Sequence, residues 1–411
     1  MKKDFILTFI TEFIVIICML ATYKLADSFF GQKGFTDYSL ARRVIAMLQP
    51  VFLVGMHITI PRQVAFYMTE SKQKSSEIFL SAVVILFAVI VVLMFAMILL
   101  KRPLSALLFD NSSYVKFIFP LSLMLAGMTI HSAVYGYYRG MRLMQKANLV
   151  QLLIMGIIPL LAISVAAEVA QSFIVTGILW IIISILFLLG IVFNLQFSFS
   201  SVTKNIKQTF SHGIQRLPAD LGIAALLSLP VLFFTHAFGT TESGYLAFSI
   251  SLLSMTGAAL KPIGLIMLPH ATMLIAQKNY AALNFQIRKM IFYFLLLSAI
   301  VIAGYELLAP VLLSVYLGKA NSALVFISRI VMLSAAGYMF YVFFRSIIDA
   351  AHHRSYNTLN IIISLTVLIL LSSAGLFFNV SRTYLLSIFV LSVSLLGTMT
   401  YLHIKKILKQ E

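Results

Sequence analysis

Two carboxylates, Glu12 and Asp220, stand 208 residues apart in segments that are otherwise almost wholly apolar. Charge inside hydrocarbon is costly, and such groups usually face a polar cavity, where a carboxylate can take up and release a proton. The same offset relates Phe30-Gly31 to Phe238-Gly239 and Pro61 to Pro269. Tyr137-Tyr138-Arg139 returns as Phe343-Phe344-Arg345, and the Asn148/Gln151 pair returns as Asn357/Asn360. The chain therefore reads as an internal duplication. Proton exchange at Glu12 and Asp220 is its first candidate chemistry, and the cleft between the halves is the expected place for it.

A second group of candidates is basic. Arg42 and Arg43 lie near one end of the second apolar stretch, His57 lies deeper and Arg62 follows Pro61; Lys261, just before Pro262, lies well inside the eighth. Guanidinium and ammonium groups in a low-dielectric cleft bind the oxygens of phosphates, Arg in a bidentate manner. Each assignment has a plainer competitor. Arg216 is four residues before Asp220, so the two can pair along one helix face. Arg42, Arg43 and Lys24 can snorkel to an interface. Glu12 has no basic neighbour at its depth on its own helix. Pro50, Pro61, Pro262 and Pro269 each remove a backbone hydrogen bond and can bend the helices that carry the basic groups. His131, with Thr129 and Ser132, reads as an ordinary helix contact, as do Glu306 and Arg329.

These residues need elements to hold them, and composition names the class. With 61% hydrophobic and 10% charged residues and a mean hydropathy of +1.01, the chain is a polytopic membrane protein. A hydrocarbon core of ~30 Å takes ~20 helical residues. Twelve stretches qualify, at 5–25, 40–66, 78–100, 114–139, 147–167, 172–194, 213–237, 244–273, 288–316, 323–348, 357–377 and 382–404. The expected fold is all-α, with two six-helix bundles over 1–200 and 201–411. An even number of spans per half implies a pseudo-twofold axis along the membrane normal. The linker 195–212 is short and polar, and 276–290 mixes polar with apolar residues; both suit an amphipathic piece at the interface.

Lys2-Lys3 before an apolar stretch imitates a secretory signal, but Glu12 interrupts that stretch and no small-x-small cleavage site follows, so it is kept as the first span. Seventeen Lys and Arg fall in the termini and alternate connections, against six on the opposite side, which places both termini in the cytoplasm. That bias also accounts for most of the formal charge of +17, so the basic pI implies no nucleic-acid partner. The single cysteine, Cys18, excludes an intrachain disulfide and a multi-cysteine metal site. No G-x-x-x-x-G-K-[ST], H-E-x-x-H or G-x-S-x-G motif is present, so neither ATP hydrolysis nor metallo- or serine-hydrolase chemistry is expected. The expectation is a protein that is not an enzyme and carries no cofactor or metal.

A resemblance covers essentially the whole chain. Gly34-Phe35-Thr36-Asp37-Tyr38-Ser39-Leu40 before Arg42-Arg43, Pro61-Arg62, Tyr137-Tyr138-Arg139-Gly140 with Asn148 and Gln151, and Arg216-Leu217-Pro218-Ala219-Asp220 are similar to the Wzx-type polysaccharide flippases. These belong to the multidrug/oligosaccharidyl-lipid/polysaccharide exporter superfamily. The resemblance implies a MATE-like, V-shaped pair of six-helix bundles in the bacterial cytoplasmic membrane. Its implied activity is movement of undecaprenyl-pyrophosphate-linked oligosaccharide from the inner to the outer leaflet for surface polysaccharide such as O-antigen or capsule. Polysaccharide polymerase and chain-length machinery are its implied partners. On that reading Arg42, Arg43, His57, Arg62 and Lys261 hold the phosphates, while Glu12 and Asp220 couple alternating access to protons.

Three alternatives remain open. An ion-coupled multidrug exporter of the MATE type shares the expected fold but binds lipophilic cations, whereas the basic candidates here outnumber the acidic ones. A major-facilitator transporter also has six plus six helices, but the loop from Arg62 to Glu77 lacks that family's Gly- and Arg-rich motif. A non-transporting assembly partner has no use for so many charges inside the membrane.

Overall fold

Backbone N–H and C=O groups find no water in hydrocarbon, so the apolar runs close their hydrogen bonds within helices. The computed structural model describes residues 2–277, 279–318, 321–351 and 355–408. Lys261, Pro262, Pro269 and His270 lie in its helical backbone, but their side chains fall outside the description. Every regular element among the described residues is helical. The chain divides into two compact units, Met1–Ala224 and Ala225–Glu411, at a point inside one long helix.

In the first unit α1, Lys2–Leu53, consists of two arms that meet at Gly31, which has φ 69° and ψ −171°. That conformation is essentially closed to residues with a Cβ. The chain reverses there: Tyr23 and Tyr38 would be ~22 Å apart along a straight helix, yet their ring centroids are 5.1 Å apart. Tyr38 then stacks on Phe173 at 5.2 Å, which ties the hairpin to its neighbours. The second arm continues, after a break at Val54 and Gly55, as α2, Met56–Met68. Next come α3, Lys72–Leu99, and the short α4, Lys101–Phe109, followed by α5, Val115–Gly140. The fifth span is α6, Met144–Gln151, a π-turn at Leu152–Ile157, and α7, Ile158–Val165. The sixth is α8, Val169–Val192, and α9, Phe199–Ile214, follows it. α5 is buried along most of its length and runs against α8, α2, α3 and α1, so it is the axis of this unit. α3 instead presents Phe87, Val91 and Phe95, each more than half exposed, as a bilayer-facing surface.

The long α10, Leu217–Ala276, carries the same device as α1: Gly239 has φ 80° and ψ 177°. The second unit continues with α11, Tyr280–Leu317, then α12, Ser322–Met332, and α13, Ala335–Ala351, which are bent by 44°. It ends with α14, Tyr356–Phe377, and α15, Arg382–Ile407. Its core is aromatic: Phe340 stacks on Phe344 at 4.3 Å, and the Phe294 and Tyr401 rings meet Phe340 edge-on at 5.1 and 6.0 Å.

Counting both arms of α1 and α10, and each broken helix as one, the described residues form twelve spans in a MATE-like all-helical fold. Three expectations need correction. The 14-residue gap expected between the first two stretches is a single-glycine turn, with helix on both sides. The second span breaks at Val54 and Gly55 rather than at a proline; Pro50, four residues earlier, keeps its carbonyl engaged by Val54 N–H at 2.9 Å. The segment 276–290 is largely the first turns of α11.

Candidate functional site

Glu12 lies half-buried on the first arm of α1, which faces α6 and the π-turn. Two rungs join the helices. Asn148 Nδ2 donates to Thr8 Oγ1 at 3.2 Å, and Gln151 Nε2 donates to Glu12 Oε1 at 3.4 Å. The spacing is that of helix faces, four residues on α1 and three on α6. Gln151 is the last residue of α6 before the π-turn, a distortion often found at functional positions.

From Gln151 the network runs into the unit's axis. Its amide oxygen lies 3.0 Å from Nε2 of His131, which is 3% exposed. An amide oxygen only accepts, so His131 carries its proton on Nε2 in this arrangement. His131 stacks on Tyr135 at 5.7 Å, and the Arg139 guanidinium lies 5.5 Å from the centroid of the Tyr135 ring. His131, Tyr135 and Arg139 follow at four-residue spacing, one column on α5. A proton arriving at Glu12 changes that carboxylate from acceptor to donor. Gln151 can meet the change by turning its amide, which alters what His131 is offered.

The second candidate carboxylate has different company. Asp220 Oδ1 lies 3.8 Å from His57 Nε2, with side-chain exposures of 19% and 35%. Both residues belong to the first unit, and the joint that brings them together is built from backbone. Val54 and Gly55 both have positive φ, 44° and 69°. A Cβ on Gly55 would stand 2.2 Å from Gly213 O, and one on Gly213 would stand 2.5 Å from Val54 O. The break in the second span therefore sits directly against the junction of α9 and α10. His57 leaves the break two residues on, and Asp220 leaves the junction in the first turn of α10. Pro61, four residues after His57, has no N–H to donate to the His57 carbonyl.

Of the basic candidates, Arg43 is buried at 6% exposure, Arg42 is half-buried and Arg62 is exposed. Arg42 and Arg43 precede the Val54–Gly55 break and Arg62 follows it. Their spacing is thus set by that joint. The Lys261 side chain lies outside the described residues.

The second unit repeats part of the pattern. The Arg345 guanidinium lies 6.0 Å from the centroid of the Tyr341 ring, at the same four-residue spacing as Tyr135 and Arg139. Asn357 Nδ2 donates to Arg345 O and to Asp349 Oδ1, each at 2.8 Å. Thr8, Tyr135, Tyr341 and Asp349 escaped the sequence reading, and His131 was taken as a plain contact. The spacing of His131, Tyr135 and Arg139, with Tyr341 and Arg345 at an offset of 206, was the available signal.

No protein-family model matches the sequence, and no curated protein does. Solved structures do. A multidrug resistance MATE family transporter of the MOP superfamily, in an inward-facing conformation, aligns with a TM-score of 0.75 over 94% of each chain at 13% identity. A eukaryotic MATE transporter aligns with a TM-score of 0.71 over 100% of this chain and 97% of its own, also at 13% identity. A MOP superfamily transporter from Pyrococcus furiosus, for which reversed polarity of the binding pocket suggests a different function, aligns at 0.58 over 100% and 97%, with 15% identity. At these identities the likeness is one of fold, and the fold is that of the MATE transporters.

Proposed function

We propose that the chain is an ion-coupled exporter working by alternating access, with Glu12 as the group that takes up and releases the coupling proton. The observation that carries this reading is the path from Glu12 through Gln151 to the buried His131, a carboxylate and an imidazole joined within one membrane unit by an amide that can turn. The break at Val54 and Gly55, with His57 and Asp220 across it, supplies a joint whose geometry depends on a second titratable pair. Both termini belong on the cytoplasmic side by the distribution of Lys and Arg.

Two readings of the cargo follow. The fold neighbours include multidrug transporters, which favours a lipophilic solute of the MATE type. A flippase for undecaprenyl-pyrophosphate-linked oligosaccharide is favoured by Arg43, buried in the second span beside half-buried Arg42, since buried guanidinium suits a phosphate better than a cation. The Pyrococcus furiosus neighbour is an instance in which this fold accompanies a pocket of reversed polarity.

Proteoliposomes with a pH dye inside test both. Under an imposed proton gradient, a lipophilic cationic dye and a fluorescent polyprenyl-pyrophosphate oligosaccharide are offered in turn. The cargo that moves, with matching proton flux, is the substrate class. Proton flux with either cargo that persists in Glu12→Gln removes the coupling role.

A further inference from the structure

α11 stays helical across a proline. Pro310 lies seven residues before the end of the helix at Leu317 and has no N–H for the carbonyl of Glu306, four residues earlier. Within a membrane span a carbonyl freed in this way needs another donor, and the next helix supplies it. Arg329 of α12 turns its guanidinium onto that oxygen: Nε donates to Glu306 O at 3.0 Å, and Nη2 donates to the same atom. Nε also lies 3.3 Å from Glu306 Oε2. One side chain thus holds both the freed carbonyl and the carboxylate of the same residue, with charge-assisted bonds.

The internal repeat contains the same proline without this contact. Pro103 of the first unit matches Pro310 at an offset of 207, between the 208 of Pro61/Pro269 and the 206 of Tyr137/Phe343. There the helix does not continue. α3 ends at Leu99, the residue whose carbonyl Pro103 leaves without an N–H. Leu100 departs from helical geometry with φ −95° and ψ 20°, and α4 starts at Lys101. At the place of Arg329 stands Ser122, whose hydroxyl donates within its own helix, to Phe119 O at 2.8 Å. Proline with the arginine accompanies a continuous helix, and proline without it a break.

We propose that Arg329 is the pin of a hinge in the ninth span, and that its release lets α11 break between Glu306 and Pro310 as the third span breaks at Leu100. The segment beyond the proline is packed on one side: Ala309 and Leu313 are buried, whereas Val311, Leu312 and Val315 are exposed. The pin is itself partly solvated, with side-chain exposures of 42% for Arg329 and 32% for Glu306, so opening exchanges its ion pair for water at small cost. Arg329 stands in the last turn of α12, one turn before the 44° bend into α13. The same guanidinium therefore ties the kink in α11 to the bend that follows α12. The hinge belongs to the second unit alone and is independent of the cargo and of the coupling ion.

Hydrogen–deuterium exchange of the purified full-length protein, read by mass spectrometry on peptides from 303–317, tests it. Arg329→Leu is expected to raise exchange there by about tenfold or more, the worth of a hydrogen bond from a charged donor, and to leave peptides of α14 unchanged. Pro310→Ala gives Glu306 O a backbone donor, so alone it should slow exchange in the same segment. In the Pro310→Ala background Arg329→Leu should raise exchange by no more than about threefold, since the carbonyl then keeps a partner. An Arg329→Leu effect of the same size with and without Pro310, or no effect in either background, overturns the proposal. If Arg329→Leu does not purify as a monodisperse species, Pro310→Ala by itself must slow exchange over 303–317, and an unchanged rate overturns the hinge.

Discussion

Gly55→Ala is the sharpest probe of the joint that brings His57 to Asp220. The new methyl would stand 2.2 Å from Gly213 O and 2.9 Å from Arg216 Cβ. A carbon and a carbonyl oxygen rest no closer than about 3.3 Å, so the break and the α9–α10 junction must part by about 1 Å. The left-handed conformation costs alanine about 1–2 kcal/mol, and forcing a methyl into filled space costs about 1–3 kcal/mol more. The expected loss is therefore about 2–5 kcal/mol. Gly31→Ala is the control. Its positive φ, with an extended ψ of −171°, also strains alanine, by about 1–3 kcal/mol, but nothing lies within 4 Å of the added methyl. Cys18 is the only cysteine and is partly buried, so a thiol-reactive dye followed during heating reports opening of the first unit. At about 2–4 °C per kcal/mol for a unit of this size, Gly55→Ala should lower Tm by about 4–20 °C, and by more than Gly31→Ala does. A Gly55→Ala protein within about 2 °C of wild type, or less affected than Gly31→Ala, refutes the close approach at Gly213.

Further predictions address the polar networks. Glu12→Gln keeps an amide for Gln151 to bond but has no proton to exchange, so stability should change by no more than about 1 kcal/mol while transport driven by a pH gradient is lost; undiminished gradient-driven uptake in proteoliposomes contradicts it. Asn357→Leu leaves Arg345 O and Asp349 Oδ1 without their donor and should cost about 1–3 kcal/mol in a thermal melt. Asn360→Leu should be neutral or stabilising in the same melt, because Asn360 is fully buried and both its polar side-chain atoms lack a partner among the described residues. Tyr135→Leu and Tyr341→Leu each remove an aromatic face from an arginine, worth about 0.5–1 kcal/mol. Melting temperatures that fall by similar amounts for the two would match the repeated geometry, and a loss for only one would not.

Much of the fold was legible because a bilayer imposes it. Length of apolar run predicts helices where water cannot satisfy the backbone, and the spans lie close to where hydropathy puts them. The repeat was legible too, and Gly31 and Gly239 show its physical content: the recurring Phe-Gly dipeptide marks two turns with almost the same φ and ψ. Asp27, Gln32 and Lys33 fall in the gap between the first two apolar stretches, where there is helix on both sides of the turn at Gly31. A helix that extends past the hydrocarbon can carry charge on any face, so polarity alone does not end it.

The partners of the charged groups were decided by tertiary structure. Sequence placed Glu12 and Asp220 at matching points of a repeat, yet one meets a glutamine on α6 and the other a histidine across a broken helix. The bend was sought at prolines and lies at Val54 and Gly55. Proline only deletes a hydrogen bond, whereas a positive φ redirects the chain. His131 looked like an ordinary contact because its role depends on Gln151, twenty residues later and turned toward it beside a π-turn. Repeated types and apolar length are local properties and survive in one dimension. Which donor faces which carboxylate depends on helix rotation and on approaches of a few ångströms between backbones far apart in sequence, and these exist only in the folded chain.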